Sequence, residues 1–188
     1  MTAIFIIKQC EACHLLTDGV AIDSDGRVAG ILAKAMALPH LGVAVALRGT
    51  VEMLAQMPLL GLAPDLETLR ARTESAVRAV EGEAEVYVAG LDACFAVTAA
   101  AGAQFVVGFA LTPSSDPIYA DLGFLWDRPP DDVDPATDGV KVFEVLRRHR
   151  APSALVGGFV QLTTVTRDAV TTRIIHRWPD RVGEPIAP

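Results

Sequence analysis

The chain has 188 residues, 51% hydrophobic and 21% charged, with a net charge of −7 when histidines are neutral. That composition excludes intrinsic disorder, and no basic surplus is left for a phosphate backbone, so nucleic acid is not an expected partner. The length suits a single domain over residues 1–188 that folds without a metal, and three cysteines, an odd number, do not form a disulfide framework.

The N-terminus has no basic leader before the apolar run Ala3 to Lys8, and the run is too short for a secretory signal. A cytoplasmic protein is expected. Ala3 to Lys8 and Ala12 to Leu16 flank Gln9-Cys10-Glu11 and predict a strand pair, ended by Thr17-Asp18-Gly19. Asp23-Ser24-Asp25-Gly26 is a tight-turn signal, because Asp and Gly accept the positive-φ positions of hairpins. Val28 to Leu38 gives no clear pattern, and Leu41 to Leu47 reads as a buried strand stopping at Arg48-Gly49.

Thr50 to Met57 predicts a short helix ended by Pro58. Pro64-Asp65 opens a second helix, with Leu66, Leu69, Thr73, Val77 and Val80 on one face and Gly82 at its end. Val86 to Gly90, Cys94 to Thr98 and Gln104 to Leu111 follow as strands. The uncharged stretch Ala93 to Ser115 is long enough to span a bilayer, but Asp92 and Asp116 flank it and it is rich in Ala and Gly. Two buried strands around Ala101-Gly102 explain it better, and no membrane association is expected.

Pro113 to Thr137 is expected to be mostly loop. Asp134-Pro135 then suits the start of a helix that runs to Arg150, with Arg147, Arg148, His149 and Arg150 as cations at its negative end. Phe159 to Thr166 and Val170 to Trp178 close the chain as two strands. Strands adjacent in sequence imply antiparallel pairing, and grouped strands with grouped helices imply a layered α+β fold.

Most chemical motifs are weak. Cys10-Glu11-Ala12-Cys13-His14 matches a haem-attachment string, but in a strand Cys10 and Cys13 point to opposite faces, which favours two small residues in a hairpin. Asp127, Asp131, Asp132, Asp134 and Asp138 lack the ligand alternation of a calcium loop. His14, His40, His149 and His176 show no zinc spacing, and no G-x-S-x-G elbow occurs. No metal and no cofactor are expected.

Thr2 follows the initiator methionine. Removal of Met1 would leave an α-amine, with a pKa of about 8, beside the threonine hydroxyl, so one residue would supply both nucleophile and base. Asp18 lies sixteen residues beyond Thr2, and Lys34 sixteen beyond Asp18.

With Thr2-Ala3-Ile4, Thr17-Asp18-Gly19, Lys34 and Arg48-Gly49-Thr50 in these places, the sequence resembles the proteasome-like N-terminal nucleophile (Ntn) hydrolases. The bacterial two-component, ATP-dependent protease proteolytic subunit is the nearest pattern. Val86 to Asp92 is similar to the family's strand ending in Ala-Gly-x-Asp, and Val156-Gly157-Gly158 to its late Ser-Gly-Gly. The resemblance implies a four-layer αββα sandwich of two antiparallel sheets between helices. It implies a threonine-type peptidase or amidase in which Thr2 attacks a carbonyl, Asp18 holds Lys34 charged, Lys34 favours the ionised hydroxyl, and the Gly49 N–H receives the oxyanion. A homo-oligomeric ring, peptide substrates and an ATPase unfoldase partner are the implied associations. The sequence departs from the pattern at Arg48, where the family has a small residue, at Val156, and in lacking a Gly-Ser-Gly. The competing class is a catalytically silent, self-assembling or binding protein of the same fold. Replacing Lys34 by alanine is expected to remove activity while changing stability by no more than about 1 kcal/mol.

Overall fold

A computed structural model describes residues 3–81, 84–98, 102–105, 121–126, 128–149 and 156–186. The first two apolar runs pair as expected. β1 (Ile4–Lys8) and β2 (Ala12–Asp18) are antiparallel, and β2 also pairs with β10 (Phe159–Thr166), which pairs with β11 (Val170–Arg177). The sheet order β1-β2-β10-β11 joins the first hairpin to the last through β2 and β10, with β1 and β11 at opposite edges.

The second sheet runs β5 (Ala35–Leu38), β6 (Val43–Arg48), β7 (Glu85–Gly90), β8 (Phe95–Thr98) and β9 (Gly102–Phe105), each antiparallel to the next. β8 and β9 form a hairpin within the long uncharged stretch. No helix among the described residues is long and apolar enough to cross a membrane. The unclear segment Val28 to Leu38 divides into β4 (Val28–Ile31), paired with β3 (Val20–Ile22), and β5. In the turn between β3 and β4, Asp23 Oδ1 accepts from the N–H groups of Asp25 and Arg27 at 3.0 and 2.9 Å, and Gly26 takes φ 77°. Of the expected strand Gln104 to Leu111, residues 106–111 lie outside the described residues.

Alternation along the strands sorts the apolar side chains by sheet face. Phe5, Ile7, Leu16, Val160 and Leu162 share a core with Val142, Phe143 and Val145 of α5 (Thr137–His149). The opposite-facing Ile6, Cys13, Leu15 and Val165 pack with Ala44, Ala46 and Ala89 of the second sheet. Small residues there let the two sheets come together. Val43, Val45, Leu47, Val86 and Val88 point away from that seam and join Met53, Leu60, Leu69 and Val77 from α1 (Val51–Leu54), α2 (Met57–Gly61) and α3 (Leu66–Ala79).

Asp65 caps α3, accepting from the Thr68 N–H at 2.6 Å. Leu69, Thr73 and Val77 are buried, so this face covers the chain's own sheet and is not left free for a neighbour. Pro58 does not end a helix. It stands in the first turn of α2, where a missing N–H costs nothing. Gly82 lies outside the described residues, and α3 stops at Ala79. The segment expected to be loop carries a short helix, α4 (Gly123–Trp126), and a 3-10 turn at Pro130–Asp132. Residues 113–120 and Asp127 lie outside the described residues. Asp134 Oδ1 accepts from the N–H groups of Ala136 and Thr137 at 2.9 and 3.3 Å, which anchors the start of α5.

Candidate active site

At the end of β2 the chain buries a charge pair. Lys34 Nζ donates to Asp18 Oδ1 at 2.9 Å and to Oδ2 at 3.1 Å, and the two side chains are 3% and 0% exposed. The N–H of Ala3, the residue after Thr2, donates to Asp18 Oδ1 at 3.0 Å, and that of Val20 to Oδ2 at 3.2 Å. Burial pushes the Asp18 carboxyl up and the Lys34 ammonium down, while their mutual contact opposes both shifts. Thr2 itself lies outside the described residues.

Backbone bonds connect this pair to the third predicted position. The Lys34 carbonyl accepts from the Leu47 N–H on β6 at 3.1 Å, and Gly49 follows that strand directly. Gly49 takes φ 146°, a conformation that side-chain-bearing residues rarely adopt. Arg48 is held along the second sheet by Glu85 at 3.3 Å, and Glu85 also accepts from the Tyr87 hydroxyl at 2.7 Å. The structure thus brings Asp18 and Lys34 into contact and ties Gly49 to them through β6.

The sequence pattern Val156-Gly157-Gly158 supports the same corner. The Gly157 carbonyl accepts from the Gly19 N–H at 3.0 Å, next to Asp18. Gly158 takes φ 73°, and a methyl group on it would lie 3.0 Å from the carbonyl carbon and oxygen of Gly19. A methyl on Gly19 would meet the Phe159 ring at 2.5 Å. Both positions require glycine for close approach.

Behind these glycines stands a clasp that sequence reasoning missed. Asp180 binds Arg147 through both oxygens, at 2.7 and 2.9 Å, and its Oδ2 accepts from the Gly158 N–H at 2.7 Å. Arg147 also donates to the Val156 carbonyl at 2.8 Å and lies over the Trp178 ring. Burial opposes ionisation of Asp180, but the bonds from Arg147 and Gly158 hold its carboxyl below the ordinary value. The expectation that Arg147 is a helix-end cation alone is corrected: it is buried and paired. Its place in a run of cations hid this role, since only the fold brings Asp180 to it.

The other polar motifs have structural partners. Cys13 is buried between the sheets, while Cys10 is exposed and bonds Asp131. His14 contacts Gln9 Oε1 at 2.9 Å and Thr164 Oγ1 at 3.0 Å. Asp138 pairs with Arg128 and Lys141 at 2.8 and 3.0 Å. Among the described residues, no group of three His, Cys, Asp or Glu side chains is placed to hold a metal ion.

Two antiparallel sheets pack through a small-residue seam, with helices against them, and this is the fold of the solved Anbu structures. Among solved structures, the chain is similar to the Anbu (Gly-1) mutant from Hyphomicrobium sp. strain MC1, with TM-score 0.68 and 12% identity, covering 94% of this chain and 88% of that one. It is also similar to Anbu, described as an ancestral beta-subunit, from Yersinia bercovieri, with TM-score 0.67 and 9% identity, covering 94% and 87%. At these identities the likeness concerns the fold. No protein-family model and no curated protein matches the sequence.

Proposed function

We propose that the chain is a threonine-type Ntn hydrolase that cleaves amide bonds, with peptides as the substrate class. The observation that carries this reading is the buried Asp18–Lys34 pair, bonded through Asp18 to the N–H of Ala3. A buried ion pair is a poor way to gain stability, because desolvation offsets the attraction. Its position beside the residue that follows Thr2 suits chemistry better.

In this reading Met1 is removed and the Thr2 α-amine takes the hydroxyl proton as Oγ attacks the carbonyl. Lys34 stabilises the developing negative charge, and Asp18 fixes Lys34 in place. The Gly49 N–H donates to the tetrahedral oxyanion, a contribution of about 3–4 kcal/mol in other hydrolases. The amine returns the proton to the leaving nitrogen, and water then hydrolyses the ester to regenerate Thr2. The three cores fit a four-layer αββα sandwich formed by a single domain over residues 1–188. We also assign a cytoplasmic homo-oligomer of six or more subunits, on the pattern of the ATP-dependent protease subunit, with an ATPase unfoldase delivering substrate. Leu59 and Leu62, 55% and 71% exposed beside the helices, are the apolar surface such an assembly would cover.

The second reading, a catalytically silent self-assembling or binding protein, is favoured by Val156. It stands where the family pattern has serine and is buried in the apolar core. Treatment with a peptide epoxyketone followed by mass spectrometry separates the two. An adduct on Thr2 that is lost in Thr2→Ala establishes the nucleophile, and retention of Met1 in the intact mass rejects the enzyme.

A further inference from the structure

The first sheet has one covered edge and one open edge. β1 is largely buried, and Gln9 just beyond it donates to the Pro130 and Val133 carbonyls at 2.7 and 2.9 Å. β11, at the other edge, is eight residues long, contains no proline and pairs with β10 alone among the described residues. Thr171, Thr172, Arg173 and Ile174 are all exposed, Ile174 at 42%. In an antiparallel strand every second residue directs its N–H and C=O away from its partner, so the outer edge of β11 presents a row of donors and acceptors. An open groove of about 540 Å³ lies between this strand and the first half of α5. Ala136, Val140 and Ile175 give it apolar walls, and Lys141 and Arg173 give it charge. Arg173 stands opposite Leu162, which packs in the α5 core, so Arg173 is on the α5 face of the sheet.

We propose that β11 is a docking edge, onto which an acidic segment of a partner protein adds as a further strand. Charge selects this occupant. Asp138 neutralises one of the two cations bonded to it, Arg128 and Lys141, so a positive charge remains beside the groove. Among the described residues Arg173 has no carboxylate partner. In a chain of net charge −7, the β10–β11 hairpin carries Arg167, Arg173 and Arg177 against one carboxylate, Asp168. Main-chain bonds to the outer edge of β11 hold the incoming strand, and an acidic side chain meets Lys141 and Arg173. The side chain two residues away falls on the same face, where Val140 and Ile175 favour an apolar group. A second copy of this chain fits less well, because pairing β11 with itself would bring two basic strands together.

The probe is a fluorescein-labelled eight-residue peptide of alternating valine and threonine with one central glutamate, titrated with the full chain by fluorescence anisotropy. Saturable binding is expected, weakened at least about tenfold when lysine replaces the glutamate and by a similar factor when alternate peptide amides are N-methylated. Arg173→Glu should reverse the preference, so that the lysine peptide binds more tightly than the glutamate peptide. Hydrogen exchange at the β11 amides should slow when the glutamate peptide is added. No saturation below about 1 mM overturns the proposal, as does equal binding of the glutamate and lysine peptides. Undiminished binding of the N-methylated peptide, or an unreversed preference in Arg173→Glu, overturns it too. A light-scattering mass above that of one chain, reduced by Arg173→Glu and accompanied by β11 amides protected before any peptide is added, assigns the edge to a second copy and overturns the acidic partner.

Discussion

Lys34 Nζ sits between the two carboxylate oxygens of Asp18, at 2.9 and 3.1 Å, with both side chains shut away from water. The expectation that Lys34 could be lost at little cost in stability assumed a tip lining an open cleft. The burial reverses it. Lys34→Ala leaves a buried carboxylate without its counter-ion, and we expect it to destabilise the fold by about 3–5 kcal/mol as well as abolish hydrolysis. Urea denaturation of the variant at pH 7 checks this. A midpoint equal to wild type would show that the pair contributes nothing net.

The same variant should become more stable relative to wild type as pH falls. Burial already raises the Asp18 carboxyl, and without Lys34 the main opposing influence is gone. A carboxyl whose folded pKa lies above its unfolded value of about 3.9 binds its proton more tightly in the folded state. Its contribution is fully present below the unfolded pKa and is lost as pH rises through the folded one. The deficit of Lys34→Ala measured at pH 5 should therefore be smaller than at pH 7.5. A deficit independent of pH would reject a stranded carboxylate.

Asp180 behaves in the opposite sense. Its folded pKa is depressed, so its contribution is present above the unfolded value of about 3.9 and lost as pH falls through the folded one. Asp180→Ala removes the partner of buried Arg147 and of the Gly158 N–H, and should cost about 3–5 kcal/mol at pH 7. Part of the wild-type stability loss between pH 4 and pH 2 should vanish in the variant. Chemical denaturation across that range measures both.

Gly158→Ala combines a positive φ with a methyl placed 3.0 Å from the Gly19 carbonyl. Because Gly19 is next to Asp18, the required shift moves the end of β2. We expect destabilisation of about 1–3 kcal/mol and reduced epoxyketone labelling. Labelling at the wild-type rate would show that the corner can relax without disturbing the pair.

His14 is lowered to about 4 by burial, against an opposing attraction from Asp134. It should stay neutral in the folded protein down to about pH 5, contributing stability that is present above its unfolded pKa of about 6.5 and lost as pH falls through 4. The ring proton shifts in an NMR titration test this directly. A midpoint near 6.5 would mean that the ring is solvated.

Much of the fold was legible in order of residues because hairpins and helix starts obey local rules. Asp23 to Gly26 must turn, Asp65 and Asp134 must open helices, and alternating apolar residues in β1 and β2 must face two cores. The spacing of Thr2, Asp18 and Lys34 marked a candidate site through resemblance. What local sequence could not express is convergence. Nothing near Lys34 announces that the segment between β4 and β5 will bury it against Asp18, and nothing near Arg147 points to Asp180. Those contacts exist only after the strands pair and the sheets close, and closure also removes the water that would screen them. The sequence determined which elements form and which residue types stand at their ends. The tertiary structure decided which charges are buried together, because desolvation and partner geometry are properties of the packed chain.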